Sequence, residues 1–315
     1  MEGIEHPRGK GANQAEYVRD QYLAEQFEKS EKYSVGSTEL EVFDVQAERL
    51  KTETPTFFGT GWSASRGVYE SAILGIAGRG RRVLSVFAPH GIEADPDFGT
   101  RDKTYAAAEL RKAAAMLRAL EEKSVEKIDI VAHSESALWS LIVASMHPEK
   151  IRNIVLIDPA GLMDEETTAR LAVGFVSDIV QGAINSEKLP RPKVERSVQP
   201  GSPKDLLGAL KNMLGKPLQS LKEVLAMRDA DIRNILENLK AQGKKIAVIH
   251  GARDVIFPME RLNKVVNTKQ VDGFYSVYGA HNEINSNPEA YTVVIDHALD
   301  ALEKLSAKDA APRIV

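Results

Sequence analysis

The stretch Ala132-His133-Ser134-Glu135-Ser136 joins two segments of different character. Residues 128–131, Ile-Asp-Ile-Val, form a short apolar run with β-branched side chains, as a strand requires, while residues 135–146 are mostly small or apolar and suit a helix. A strand that turns straight into a helix reverses within a few residues. That puts the turning residue in a strained backbone conformation and leaves room only for small side chains two positions to either side. Ala132 and Ser136 are those small residues. Such a turn presents the Ser134 hydroxyl at the carboxyl end of a sheet with a helix N-terminus behind it, where it can act as a nucleophile. The more common pattern, G-x-S-x-G, has glycines where Ala132 and Ser136 stand. An ordinary strand-to-helix turn with a capping serine is the competing expectation.

A serine nucleophile needs a base to take its proton, and the base needs an acid to hold its tautomer and stabilise its charge. Both are available after strand-like runs further along the chain. Residues 246–249 lead into His250-Gly251-Ala252-Arg253-Asp254-Val255-Ile256-Phe257-Pro258, and residues 273–278 lead into Gly279-Ala280-His281-Asn282-Glu283. Asp254 is the candidate acid, with Asp158 after the run 151–157 as the alternative, and His281 is the candidate base. An oxyanion formed at Ser134 needs backbone N–H donors, and Glu135, at the start of the following helix, would supply one. His133, His250 and His90 read as structural or loop residues, and Trp139 as core.

These residues need a sheet to bring them together. Residues 1–12 read as a polar tail, and 14–32 as a helix with Tyr17, Val18, Tyr22, Leu23 and Phe27 on an irregular apolar stripe. Residues 38–45 alternate polar and apolar, the period of a half-buried strand. From residue 55 strands (55–60, 82–87, the run before Ser134, 151–157, 245–250, 273–278) alternate with helices (67–77, 105–122, 135–146, 258–266, 288–305). A Pro-, Gly- and Asp-rich loop is expected over 88–104. The alternation implies an α/β fold, a mostly parallel, doubly wound sheet. The exception is 162–243, without a convincing strand, where Leu171, Phe175, Ile179 and Ala183, then Leu206, Leu210 and Met213, then Leu218, Leu221 and Leu225, then Ile232, Ile235 and Leu239 mark four amphipathic pieces. The expected organisation is therefore a tail and helix over 1–35, a core over 36–161 and 244–315, and a helical insertion over 162–243.

Composition narrows the chemistry. The chain has 315 residues, a formal charge of -4, 43% hydrophobic and 27% charged residues, and a mean hydropathy of -0.26, which fits an ordinary globular domain. Interspersed charge of slightly acidic balance offers no footprint for nucleic acid. With no cysteine, thiol nucleophiles and cysteine-ligated metals are excluded, and none of the seven histidines forms an H-x-x-x-H pair. No run is long enough for a membrane span, and no apolar stretch opens the chain, so a cytoplasmic protein is expected.

From about residue 40 to residue 305 the chain resembles the α/β-hydrolase family with an inserted cap. AHSES resembles its elbow, GARDVIFP its G-x-x-D-x-x-x-P acid loop and GAHNE its G-x-H histidine loop. The resemblance implies a Ser134, Asp254 and His281 triad. It also implies a second oxyanion donor in the loop after residues 55–60, where Thr60-Gly61-Trp62 stands in place of the usual His-Gly pair and assigns the donor to Trp62; a shift to Phe58-Gly59-Thr60 is the alternative. The activity expected is hydrolysis of a small or medium carboxylic ester through an acyl-enzyme, with no metal or organic cofactor, on a small molecule held in an apolar cleft under the cap. Amide, thioester or carbon–carbon bond hydrolysis uses the same triad. A ligand-binding protein on this scaffold is the expectation from a different class. Oligomeric state is not legible.

Overall fold

The computed structural model describes residues 21–35, 38–62, 66–87, 105–163, 217–267 and 269–310, with isolated positions between 167 and 215. The expected tail, the loop over 88–104 with His90, and most of the insertion lie outside the described residues.

One eight-stranded sheet carries the described structure, in the order β1-β2-β4-β3-β5-β6-β7-β8. Its strands are β1 (Glu31–Val35), β2 (Thr38–Gln46), β3 (Thr56–Gly59), β4 (Arg82–Phe87), β5 (Ile128–His133), β6 (Ile151–Ile157), β7 (Lys245–Gly251) and β8 (Gly273–Val277). All pairings from β4 to β8 are parallel, and β2 runs antiparallel to both β1 and β4. β5 lies near the middle and is buried along its length, which is why Ile128, Ile130 and Val131 face apolar neighbours on both sides. Asp129 within it is matched by the Arg152 guanidinium and by the Asn153 backbone N–H at 3.1 Å.

Helices cover both faces. On one side lie α1 (Arg66–Ala77) and, with its N-terminal part next to α1, the long C-terminal α8 (Pro288–Ala310). On the other lie α2 (Ala107–Glu122), whose alanines let it sit close to the sheet, and α3 (Ser136–Met146), which follows the elbow. Between β6 and β7 lie α4 (Pro217–Asp229) and α5 (Arg233–Ala241); α6 (Met259–Val265) follows β7 and the short α7 (Glu283–Ser286) follows β8. Trp139 is buried edge-on against Phe57, a core residue as expected.

Two expectations need correction. The first helix does not extend to Lys32: residues 21–28 are helical, the chain turns at Lys29, and β1 follows. Its mostly polar residues look like a helix surface in isolation, but pairing with β2, Tyr33 opposite Leu40 and Val35 opposite Thr38, makes them an edge strand. The stripe Leu218, Leu221 and Leu225 does not mark the inward face of α4. Leu218 and Leu221 are 77% and 49% exposed, whereas Ser220, Glu223 and Met227 are buried. The face is set by partners that Glu223 finds elsewhere in the fold.

Candidate active site

β5 ends at His133, and Ser134 takes a left-handed φ of 57°, a conformation costing an L-residue about 1–2 kcal/mol. Its neighbours hold it there. Ser134 N–H donates to the Ile157 carbonyl at 2.9 Å, and the Ser134 carbonyl accepts from Ala137 and Ala160 N–H, each at 3.2 Å, so the turn is stitched to β6 and to its own helix. Ser136 bonds its hydroxyl to the His133 carbonyl at 2.8 Å, keeping that side chain inside the turn.

The loops after β7 and β8 converge on Ser134. His281 Nε2 lies 2.8 Å from Ser134 Oγ, and His281 Nδ1 lies 2.8 Å from Asp254 Oδ2. All three residues are buried. Asp254 Oδ1 accepts from Ile256 and Phe257 N–H at 2.7 and 2.9 Å, which fixes the carboxylate. With Asp254 ionised, Nδ1 carries the hydrogen and Nε2 is left to accept from the serine hydroxyl. Burial disfavours a charged His281, but the Asp254 carboxylate, with those of Asp158 and Asp178, outweighs it and raises the imidazole above its ordinary value. Burial acts against the Asp254 carboxylate as well, and the His281 charge and hydrogen bond carry it below the usual range.

The two loops are zipped to each other. Ala252 N–H donates to Val277 O at 2.8 Å and Arg253 N–H to Gly279 O at 2.9 Å. Glycine is required at 279, where a Cβ would lie 2.3 Å from the Tyr291 hydroxyl. Asp158, the alternative acid, faces His250 instead: its Oδ1 lies 2.9 Å from His250 Nδ1 and accepts from Gly251 N–H at 2.7 Å.

His133 is more than a structural neighbour of the nucleophile. Its Nε2 faces the His281 carbonyl at 2.9 Å, and its Nδ1 lies 2.6 Å from the Tyr69 hydroxyl, which in turn accepts from Gly61 N–H at 3.1 Å. A carbonyl only accepts, so Nε2 carries the hydrogen and Nδ1 accepts a hydrogen bond from the Tyr69 hydroxyl. Burial, then the neighbouring His281 charge, pushes the His133 pKa down to about 3, so the ring is neutral. The hydrogen bonds therefore run in one direction from the loop after β3 to the backbone of the histidine loop. Asp178, in the segment after β6, accepts from His281 N–H at 3.2 Å and from the Asn282 amide at 2.8 Å. Trp62 is half-buried, and its indole N–H donates to Glu223 Oε2 at 2.7 Å; Glu135 Oε1 accepts from Lys112 at 2.5 Å.

No protein-family model matches the chain. A protein of Mycobacterium phage D29 named as a non-heme haloperoxidase is 25% identical over 276 residues, 82% of this chain and 91% of that one. A 2-hydroxy-6-oxo-2,4-heptadienoate hydrolase of Pseudomonas putida is 27% identical over 176 residues, 51% of this chain and 59% of that one. The bromoperoxidase structure from Bacillus anthracis superposes with a TM-score of 0.60 at 16% identity, over 86% of this chain and 100% of that one. This is the α/β-hydrolase fold.

Within the α/β-hydrolase fold, Ser134, Asp254 and His281 come together at the carboxyl edge of the parallel strands, the serine more than a hundred residues of chain before the other two. Ligand atoms of His133, Asp158 and His281 approach within 4.8 Å of one another, as do those of Asp158, His250 and Asp254. The nitrogens of His133 are taken by the Tyr69 hydroxyl and the His281 carbonyl, those of His281 by Asp254 and Ser134, and Asp158 is paired with His250, which describes an internal network of acids and imidazoles. Tyr69, Asp178, Lys112 and Glu223 were not expected at the site. Lys112 carried a signal, since it falls with Glu109, Met116 and Leu120 on the buried face of α2 at helical spacing.

Proposed function

We propose that the protein is a serine hydrolase that cleaves a small or medium carboxylic ester through an acyl-enzyme. Ser134 Oγ attacks the ester carbonyl while His281 Nε2 takes its proton, and Asp254 stabilises the imidazolium. The tetrahedral oxyanion is held by the backbone N–H groups of Glu135 and Trp62. His281 then protonates the departing alkoxide, and water, activated by the same nitrogen, releases the acid and restores Ser134. The observation that carries this reading is the unbroken hydrogen-bonded line from Ser134 through His281 to Asp254 at 2.8 and 2.8 Å, with Ser134 at a left-handed φ.

Trp62 is favoured over Thr60 as second donor by the course of the loop. A Cβ on Gly59 would meet Ser136 and Trp139, beneath the turn, whereas one on Gly61 would lie 3.4 Å from Ser134 Cβ. Gly61 N–H is already given to Tyr69, so the next amide along is that of Trp62. Residues 162–243 act as a cap over an apolar cleft, a role supported by Asp178 reaching the histidine loop and Glu223 reaching Trp62.

Labelling with a fluorophosphonate probe tests the nucleophile: Ser134 is labelled and Ser134→Ala is not. A panel of chromogenic esters of graded acyl length then tests the substrate class. The relative from Pseudomonas putida supports a second reading, hydrolysis of a carbon–carbon bond in a hydroxy-oxo-dienoate. Turnover of such a chromophore with no turnover of simple esters would favour it.

A further inference from the structure

Four ionisable side chains outside the Asp254 and His281 line are buried, one of them that of Glu135 next to Ser134. Lys112 on α2 is 5% exposed, Glu109 and Glu135 2%, and Glu223 on α4 0%. Lys112 Nζ lies 2.5 Å from Glu135 Oε1 and 3.2 Å from Glu223 Oε1, and the other Glu223 oxygen accepts the Trp62 indole N–H at 2.7 Å. Burial, then the Glu135 charge, pushes the Glu109 carboxyl well above its usual range, which favours its neutral form. Burial alone would lower the Lys112 ammonium, but the carboxylates of Glu135 and Glu223 beside it raise it.

A buried ion cluster of this kind is a weak source of stability, because well-packed apolar side chains serve as well or better. What this one does that apolar packing cannot is join four separate elements through directed bonds. Both ends of the line Glu135–Lys112–Glu223–Trp62 finish on the residues flanking the place where an oxyanion would form.

We infer that Lys112 and Glu223 are positioning residues for the oxyanion-binding face: the Lys112 ammonium fixes Glu135 directly and, through Glu223, fixes Trp62. This rests on the proposed roles of Ser134, Glu135 and Trp62. Preorganised amides are effective only if they do not have to reorient as charge develops, and the side chains of both donor residues are anchored to the same ammonium. Because Glu223 belongs to the segment between β6 and β7, a shift of α4 is transmitted to Trp62.

The test uses the full chain and begins with fluorophosphonate labelling of the wild type against Ser134→Ala. An unlabelled wild type overturns the nucleophile reading and this inference together. With labelling established, Trp62→Phe keeps the backbone N–H and removes only the indole donor, Glu223→Leu removes the acceptor, Glu223→Gln retains an acceptor, and Lys112→Met removes the ammonium. In ester hydrolysis, Trp62→Phe and Glu223→Leu are expected to lower kcat about tenfold with KM changed less than about twofold, and to weaken a trifluoromethyl ketone inhibitor in parallel. Glu223→Gln recovers most of the loss, and Lys112→Met, where it folds, loses at least as much as Glu223→Leu. Trp62→Phe decides the matter if Lys112→Met does not fold. Folded Trp62→Phe and Glu223→Leu with wild-type kcat, or with a change confined to KM, would overturn the inference.

Discussion

Gly59 lies directly beneath Ser136: a Cβ built on Gly59 would sit 2.8 Å from both Cβ and Oγ of Ser136 and 3.1 Å from the Trp139 ring. β3 and β5 are paired there, Gly59 opposite Ala132, so neither backbone can retreat without breaking the ladder. The serine that replaces the second glycine of the common elbow pattern is accommodated by a glycine on the neighbouring strand. Gly59→Ala should therefore destabilise the protein by about 1–3 kcal/mol, as overpacking does, and Ser136→Gly should restore most of it. Urea unfolding of the two single variants and the double variant measures the coupling. Strictly additive effects would show that the two residues do not share this space.

Tyr69 is the middle of the chain from Gly61 to His133. Tyr69→Phe keeps the ring packed against Phe58 but leaves Gly61 N–H and His133 Nδ1 without the partner they have now. An unsatisfied buried group costs about 1–3 kcal/mol. Part of that is expected at the loop bearing Trp62 rather than in global stability, so ester kcat should fall about tenfold, equivalent to roughly 1.4 kcal/mol. Stopped-flow or steady-state kinetics with unchanged kcat would place Tyr69 outside the working site.

Much of this was legible in the chain. Short, mostly apolar runs gave β4 and β6 to the residue, because those strands are buried on both faces and leave little choice of register. That Ser134, Asp254 and His281 meet at one edge of the sheet was readable because strand ends fix where such residues emerge. β1 was not, since an edge strand is defined by its partner. The face of α4 was misread because Leu218 and Leu221 dominate any count of apolar residues, while Glu223 is buried by a lysine and a tryptophan more than a hundred residues earlier in the chain. Nor did His133 reveal its role, which depends on a carbonyl of a loop 148 residues away.

The pH dependence of turnover follows from the groups around His281. General-base catalysis needs the neutral imidazole, so kcat/KM should rise with pH along a limb set by its pKa. That value lies above the ordinary 6.5, held up by Asp254 after β7, Asp158 after β6 and Asp178. Removing one neighbouring negative charge weakens the imidazolium and moves the limb toward lower pH. Asp178→Asn, which retains an acceptor for His281 N–H, should show that shift in a kcat/KM profile. A limb that stays in place, or moves upward, would mean that the Asp178 charge is not felt at the ring.

His133 sets an opposite dependence, in stability. Its pKa falls from 6.5 to about 3 on folding because the ring is buried between Tyr69 and the His281 carbonyl. Above pH 6.5 it is neutral in both states and contributes fully. As pH falls below 6.5 the unfolded chain binds a proton that the folded protein refuses, and stability is lost at up to about 1.4 kcal/mol per pH unit. His281 and His250 have raised values, so their contribution to the slope is opposite in sign near pH 6.5 and fades as the histidines of the unfolded chain fill with protons. The contribution of His133 to stability should therefore fall between pH 6.5 and about 5, and it is read as the difference in urea midpoint from a variant that cannot titrate there. His133→Gln, which cannot titrate, should be less stable than wild type at pH 7.5 yet lose stability more slowly across that interval. Equal slopes for the two proteins would show that His133 takes up its proton in the folded state.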